Sequence, residues 1–159
     1  MSPASPHTPV HDRQVVTFSV DGRLFGVPVG TVREIRAMQA ITPVAGAPSY
    51  VLGVINLRGR LVPVHEMRAR LGCGPAPADA VQVILVIESA ARTVGLLADA
   101  VCDIVDVAGN EVRAVGDVIQ DGDMLVAELA IKGDDIVSLL DIGQLGDSGA
   151  AVLSTASAA

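Results

Sequence analysis

Short apolar runs alternate with turn residues along the chain from Gln14 onward. The run "QVVTFSV" leads through Asp21-Gly22 to "LFGVPV", and "GVINL" leads through Arg58-Gly59 to "RLVPV". Two apolar runs joined by so short a turn predict a β-hairpin. A third hairpin is predicted around the Lys132-Gly133-Asp134-Asp135 turn, and short helices are predicted at "HEMRARL" and "DIGQLG". The pattern therefore indicates an all-β fold with short helices.

Two longer segments recur in the same order, which favours an internal duplication. The segment from Gly26 to Ile35 matches the segment from Gly95 to Ile104 at a constant offset of 69 residues. Further along, "RGRLVPVHEM" matches "KGDDIVSLLDI" with one inserted residue, which aligns Arg58-Gly59 with Lys132-Gly133. We therefore expect two small β-barrels in tandem, since closure removes the exposed edges of short strands.

The composition limits the core and the number of domains. Half of the 159 residues are apolar but only three are aromatic, so Val, Ile, Leu and Ala must fill the core. This length fits one domain made of two small halves. We predict a single domain over residues 14–146, with halves at about 14–75 and 76–146, between a disordered leader (1–13) and a disordered tail (147–159).

Several features of the chain favour a cytoplasmic location. No apolar run approaches the ~18 residues that a membrane helix needs, so direct membrane insertion is not expected. The first residues lack the basic end and the apolar stretch of a signal peptide. The two cysteines, Cys73 and Cys102, indicate neither a disulfide framework nor a zinc site.

Charge is distributed unequally between the two halves. The net charge is −7, yet residues 1–75 carry a net +4 and residues 76–159 a net −11. An acidic chain with few aromatic residues is a poor nucleic-acid binder, since it offers phosphates little attraction and bases no stacking surface. The division is either drift in surface composition or a sign that the basic half meets an acidic half on another molecule.

The sequence contains no candidate group for catalytic, metal or cofactor chemistry. His65 stands alone inside an apolar strand, without the partners of a triad or a metal cluster. An enzyme that pairs it with Glu66 is disfavoured because adjacent strand residues point to opposite faces. The acidic residues Asp99, Asp103 and Asp106 lack the ligand pattern of a calcium loop, which favours a solvated acidic surface.

Arg58 and Arg60 flank the apex of a hairpin whose arms are apolar. One interpretation is a simple solvent-exposed turn, with Gly59 supplying the unusual backbone angle. The other is a guanidinium group beside apolar surface, where it can pair bidentately with a partner carboxylate. An apolar groove with an arginine and an acid at its edge is typical of a helix-docking site.

The stretch "GVINLRGRLVPVHEMRARLG" resembles the signature of CheW-type domains, the coupling proteins of bacterial chemosensory arrays. "LFGVPVGTVREIR" and "TVGLLADAVCDIVDV" are similar to that family's first-barrel and second-barrel segments, so the resemblance covers about residues 14–146. It implies two five-stranded, SH3-like barrels around a shared apolar seam. It also implies a non-enzymatic adaptor between the regulatory domain of the histidine kinase CheA and the cytoplasmic tips of methyl-accepting chemoreceptors, recruited to membrane receptor arrays.

The resemblance also assigns candidate binding residues. It implies a coupling turn that contacts kinase or receptor and comprises Asn56, Leu57, Arg58, Gly59 and Arg60. It implies a receptor-binding groove that comprises Val32, Glu34, Ile35, Val83, Val101 and Ile104. The chain departs from the family pattern at the next strand, where His65 and Glu66 replace an expected apolar residue and an expected Asp.

The sequence is also compatible with other functions. The same adaptor could serve a pilus-linked or other non-flagellar chemosensory pathway. A small-ligand-binding β-barrel is a further alternative, although it would need buried polar anchors in its apolar walls. The charge division adds the hypothesis that copies of the chain associate head to tail, a contact that closes into rings when the rotation permits.

Overall fold

The structure, a computed structural model, describes residues 12–89, 92–117 and 125–145. Within these ranges nearly all of the regular secondary structure is strand, which confirms the all-β prediction. Short α1 (Met67–Arg70) follows the fifth strand, and residues 142–145 form another helical turn. The strands are β1 (Asp12–Val20), β2 (Arg23–Pro28), β3 (Val32–Ala37), β4 (Val51–Leu57), β5 (Arg60–Glu66), β6 (Val83–Ser89), β7 (Arg92–Ala98), β8 (Ala100–Ala108), β9 (Val112–Ala114), β10 (Val126–Lys132) and β11 (Asp135–Leu140).

These strands form two sheets with closely similar strand orders. Sheet A has the order β8-β1-β2-β11-β10-β9, and sheet B has the order β3-β6-β7-β5-β4. In each sheet one central pair is parallel, β2 with β11 and β5 with β7, while the other pairs are antiparallel. Sheet A therefore repeats the five-strand order of sheet B and adds the three-residue strand β9 at its edge.

The two sheets do not follow the two halves of the chain. The hairpin β1–β2 pairs with β8 and β11 in sheet A, whereas β6–β7 pairs with β3 and β5 in sheet B. The chain crosses between sheets after β2 and again after β7, so each half gives its first hairpin to the other half's sheet. This corrects the expected tandem division near residue 75, because alternation of apolar residues defines a strand but not the edge it joins.

The N-terminal boundary of the folded domain also differs from the prediction. Asp12 and Arg13, which were expected in the leader, belong to β1 and pair with Ala108 and Val107 of β8. Residues 1–11 of the predicted leader and the whole predicted tail lie outside the described ranges.

The first repeated segment is confirmed by the register of the strands. Val32 pairs with Ile87 in sheet B, and the residues at the 69-residue offset, Val101 and Phe18, pair in sheet A in the same way. Each pair is followed by an irregularity that leaves one extra residue, Arg33 in β3 or Cys102 in β8. Because a β-bulge re-aims the side chains next to it, its presence at both equivalent places indicates a common ancestor for the two segments.

The second repeated segment needs a correction of one residue. Leu57 pairs with Arg60 across the first turn, and Lys132 pairs with Asp135 across the equivalent turn. The structural offset is therefore 75 residues throughout both strands, without the expected insertion. Arg60 is consequently equivalent to Asp135, a reversal of charge, and the expected alignment of Arg58 with Lys132 is wrong.

A shared apolar core joins the two sheets, as predicted. Its largest buried side chains come from both of them, including Phe18 and Phe25 of sheet A and Leu85, Ile87 and Leu96 of sheet B. The two phenylalanine rings stack with their centroids 6.0 Å apart. Each such side chain stabilises the fold by roughly 1.5–3 kcal/mol when it is removed from water, so this core holds the sheets together.

A partly buried ion network around Arg68 attaches α1 to the rest of the domain. The Arg68 guanidinium donates to both carboxylate oxygens of Asp99 at 3.2 and 2.9 Å, and to the carbonyl oxygens of Gly74 and Pro75. Burial tends to raise the pKa of Asp99, but the hydrogen bond from Arg68 helps to lower it below its usual value. Arg68 thus joins α1 to the β7–β8 turn and to the loop after α1, and the sequence pattern gave no sign of this.

Candidate functional site

The predicted coupling turn is a two-residue turn between β4 and β5. Arg58 and Gly59 both have positive φ angles, 53° and 88°, which suit the tight turns that join antiparallel strands. The Asn56 side-chain oxygen accepts a hydrogen bond from the Gly59 backbone N–H at 2.7 Å and so braces the turn. The Arg58 side chain is consequently held outside the sheet, 74% exposed.

An ion pair connects this turn to the predicted groove segment on β3. Arg58 Nη2 lies 2.7 Å from Glu34 Oε2, and Arg36 Nη1 lies 2.9 Å from Glu34 Oε1. The hydrogen bond from Arg58, followed by that from Arg36, lowers the pKa of Glu34 below its usual value. Glu34 is therefore ionised at neutral pH, and the structure brings together two residues that lie 24 positions apart in sequence.

A pocket of about 320 Å³ opens beside this ion pair at one end of sheet B. Its floor is apolar, and its rim carries charged groups. Arg33 Nε lies 2.5 Å from Glu88 Oε1, and this hydrogen bond lowers the pKa of Glu88. The lining residues are Arg33, Glu34, Leu57, Arg58, Arg60, Val62, Val86, Glu88 and Thr93.

Arg60 differs from the other arginines of the pocket. Its side chain has no hydrogen bond or ion pair with any residue that the structure describes, although its charge adds to the lowering of the Glu88 pKa caused mainly by Arg33. Leu57, another residue of the coupling turn, is 7% exposed and packs with Val62 and Val86. Within the predicted turn, Asn56 therefore stabilises the backbone and Leu57 is buried, while the Arg58 and Arg60 guanidinium groups are exposed on either side of Gly59.

The predicted groove residues divide between the core and the surface. Val32, Val83 and Val101 pack, partly buried, against the core that the two sheets share. Ile35 and Ile104 are half exposed, and they occupy equivalent positions on β3 and β8, the edge strands of sheets B and A. Of the groove residues, Glu34 lines the pocket and the five apolar ones do not.

Sequence reasoning missed the other charged residues around the pocket. Arg33 occupies the bulge of β3, and its partner Glu88 lies near the end of β6, 55 residues away. Arg36 was likewise not singled out, although it shares Glu34 with Arg58. The one available signal was the spacing of "REIR", which places two arginines around Glu34, but only the pairing of β3 with β6 brings Arg33 to Glu88.

His65 occupies a structural position. It is 0% exposed, it lies edge-on to the Tyr50 ring with centroids 5.3 Å apart, and Arg70 stacks over that ring at 4.4 Å. Burial, with a contribution from the Arg70 charge, lowers the pKa of His65 to about 4. The neighbouring Glu66 carboxylate accepts from the Arg68 and Ala69 backbone N–H groups and so caps α1. The two side chains therefore serve different structural purposes.

Comparison with known proteins decides the family. The CheW-like domain family matches residues 14–149. The chain belongs to this family. The chain is 40% identical to the chemotaxis protein CheW of Rhizobium meliloti (strain 1021) over 135 residues, which are 84% of this chain and 87% of that protein. It is 34% identical to protein PilI of Pseudomonas aeruginosa over 86 residues, which are 54% of this chain and 48% of that protein.

A solved structure supports the same assignment. The scaffolding protein TtCheW from Thermoanaerobacter tengcongensis superposes with a TM-score of 0.74 at 26% identity, over 81% of this chain and 88% of that one. The expected pair of SH3-like barrels is thereby confirmed for this CheW-like domain. None of its described helices has the length and apolar character to cross a membrane.

Proposed function

We propose that this CheW-like protein is a non-enzymatic chemotaxis adaptor that couples chemoreceptor tips to the regulatory domain of a CheA-type histidine kinase. Membership of the CheW-like family and the similarity to chemotaxis proteins and to a scaffolding protein support this role. The observation that carries the proposal is the contact between the exposed Arg58 and Glu34, which joins the coupling turn to the groove strand.

The adaptor acts by binding two proteins at once. Ile35 and Ile104 offer exposed aliphatic surface on the edge strands of the two sheets, which suits the apolar face of a receptor helix hairpin. The Arg58–Glu34 pair lies between β3 and the β4–β5 turn. A shift of the receptor helix along β3 is therefore transmitted to the turn, and from there to the kinase, without covalent chemistry.

The protein works in the cytoplasm, where it is recruited to membrane receptor arrays. Copies of it associate head to tail and contribute to rings, as the opposite charges of the two halves favour. A pilus-linked pathway is the second candidate, supported by the similarity to PilI over about half of the chain. A small-ligand role has weaker support, because the arginine and glutamate side chains Arg33, Arg58, Glu34 and Glu88 at the pocket are paired with one another.

Co-purification with a CheA-type kinase and a receptor fragment tests the proposal. We expect Arg58→Ala to weaken capture of the ternary complex about tenfold or more, because Glu34 loses a partner and the turn loses its contact with β3. Arg113→Ala is the matched control, since among the described residues that exposed arginine bonds only to carbonyl oxygens of its own segment. Failure of the wild-type protein to bind either partner, or equal capture by both variants, would contradict the proposal.

A further inference from the structure

The pocket beside the coupling turn is the mouth of the barrel that sheet B forms. β3 and β4 are the two edge strands of this sheet. Arg58, in the turn after β4, pairs with Glu34 of β3 at 2.7 Å, so the two edges of the sheet meet at this end. Leu57, Val62 and Val86, which form the floor of the pocket, belong to the buried apolar cluster of sheet B. Barrel mouths of this kind are a common location for small-molecule sites.

The charged residues around the mouth leave an excess of one positive charge. Three arginines, Arg33, Arg58 and Arg60, line the pocket together with two glutamates, Glu34 and Glu88. Hydrogen bonds from Arg58 and Arg33 lower the pKa values of the two glutamates, so both carboxylates are ionised at neutral pH. Three positive and two negative charges give a net +1, which a ligand with a single negative charge would neutralise.

Arg60 is the arginine that a ligand can use without breaking an ion pair. Arg58 is bonded to Glu34 and Arg33 to Glu88, whereas the exposed Arg60 side chain has no hydrogen bond or ion pair with any described residue. It lies on β5, two positions before Val62, and residues two apart on a strand point to the same face. Its guanidinium group can therefore hold a carboxylate beside the apolar floor, with two parallel hydrogen bonds.

Thr93 adds a polar group without a partner to the same pocket. It lies on β7 directly across from Glu88 of β6 and lines the pocket. Its Oγ1 atom is buried and has no hydrogen-bond partner among the residues that the structure describes. Because buried hydroxyl groups are normally hydrogen-bonded, this one is a site where an oxygen acceptor from a ligand would add stability.

Sheet A shows that the fold does not require this arrangement. At its equivalent positions the three arginines of the rim are replaced by Cys102, Gly133 and Asp135. Two of the three floor positions carry Lys132 and Thr17 instead of apolar residues. Both barrels form the same strand order, so the arginines and the apolar floor of sheet B are available for binding.

We infer that this pocket binds a short aliphatic monocarboxylate, a free small molecule, in addition to the adaptor function. The carboxylate pairs with Arg60 and accepts a hydrogen bond from the Thr93 hydroxyl, while the alkyl group contacts the apolar floor. A volume of about 320 Å³ lies at the lower end of the range for small-molecule sites, which suits a short chain. A dianion without an alkyl group, such as phosphate, matches neither the net charge nor the floor.

NMR titration of the isolated protein with sodium isovalerate tests the site. At neutral pH and constant ionic strength, we expect saturable shifts of backbone amide signals around the pocket, with a Kd on the order of 1 mM because so small a ligand makes few contacts. Arg60→Gln should weaken binding about tenfold and Thr93→Val about threefold, since each removes a polar contact to the carboxylate. Arg60→Lys should have intermediate affinity, because it keeps the charge but loses the planar fork.

Matched ligands and a matched variant separate this site from general binding of anions or apolar molecules. Arg113→Gln, on β9 of sheet A, should bind isovalerate as the wild type does. Isoamyl alcohol, which lacks the carboxylate, and inorganic phosphate, which lacks the alkyl group, should each bind about tenfold more weakly than isovalerate. Thermal melting of every variant checks that the fold is retained.

Several results would overturn the inference. These are an absence of saturable shifts, an Arg60→Gln variant that binds like the wild type, or alcohol or phosphate that binds as tightly as isovalerate. A peptide with blocked ends and one glutamate that shifts the same signals, when isovalerate does not, would show that the pocket receives a protein side chain instead. Because the titration needs neither kinase nor receptor, its failure would leave the adaptor function intact, and failure of kinase and receptor capture would leave this site intact.

Discussion

Sheets A and B share one duplicated strand pattern, so their differences help to distinguish residues needed for folding from residues available for binding. Both have the same five-strand order and bulges at equivalent positions. They differ at the outer edge, where sheet A adds β9 and sheet B has the isolated Thr42–Val54 bridge, and at their hairpin turns, where charge is reversed at Arg60 and Asp135. Residues common to both sheets therefore maintain the fold, and residues that differ are the candidates for binding.

Substitutions at equivalent positions of β4 and β10 should differ most in their effect on the free energy of unfolding. Gly53 in β4 and Glu128 in β10 follow equivalent bulges, yet a side chain is possible only in sheet A. A Cβ atom on Gly53 would lie 2.0 Å from the Thr42 carbonyl oxygen, and its φ of 149° disfavours other residues. We expect Gly53→Ala to lower the free energy of unfolding by about 3 kcal/mol, measured by urea denaturation.

Glu128→Ala is the reciprocal substitution in sheet A. It removes the ion pair with Arg13, whose side chain is 25% exposed, so we expect a loss of at most about 1 kcal/mol. Equal losses for the two substitutions would mean that the Thr42–Val54 bridge does not constrain β4.

Strand β5 of sheet B, which contains His65, gives the next largest expected change in stability. His65 is equivalent to Leu140, since they pair with Val51 and Val126 at the start of equivalent strands. Burial lowers the pKa of His65 from 6.5 to about 4, so the unfolded chain takes up a proton as pH falls through 6.5 while the native state does not. Stability is thus complete above about pH 6.5 and declines toward pH 4.

Denaturation at two pH values measures this difference. Between about pH 7.5 and about pH 5 we expect the wild type to lose about 2 kcal/mol through His65. His65→Leu, which gives sheet B the residue of sheet A, should remove most of that dependence. An unchanged pH dependence in the variant would show that other groups cause it.

The smallest expected change in stability tests whether sheets A and B are structurally equivalent. Gly26 and Gly95 lie on the strands that form the parallel pairs, and a Cβ atom on either would come within 3.0 Å of a core side chain, Leu139 or Ile84. We expect Gly26→Ala and Gly95→Ala each to cost about 1 kcal/mol, because the neighbours must shift slightly. Gly30→Ala, with nothing within 4 Å, should be neutral. A cost at one glycine alone would contradict the equivalence of the two sheets.

Much of the local structure followed from the sequence. The hairpins at Asp21-Gly22 and Arg58-Gly59 form as predicted, because both turns have residues that tolerate positive φ between apolar runs. The helix after Glu66 also forms, with that carboxylate as its cap. The candidate site was predicted only in part: Arg58 and Glu34 were named separately, but Arg33, Glu88 and the distinct state of Arg60 emerged from the strand register.

The sequence alone determined the hairpins at Asp21-Gly22 and Arg58-Gly59, the 69-residue repeat and the CheW-like family, since these depend on side-chain alternation and on residues close together in the chain. Tertiary structure decided which sheet each hairpin joins and which charges pair. The apolar face of β1–β2 can pack against either half, and only the pairing of β1 with β8 and of β2 with β11 resolves that choice. Tertiary structure also decides ion pairs such as Arg58–Glu34 in sheet B, because this pair joins β3 to the β4–β5 turn, segments that lie apart in the sequence.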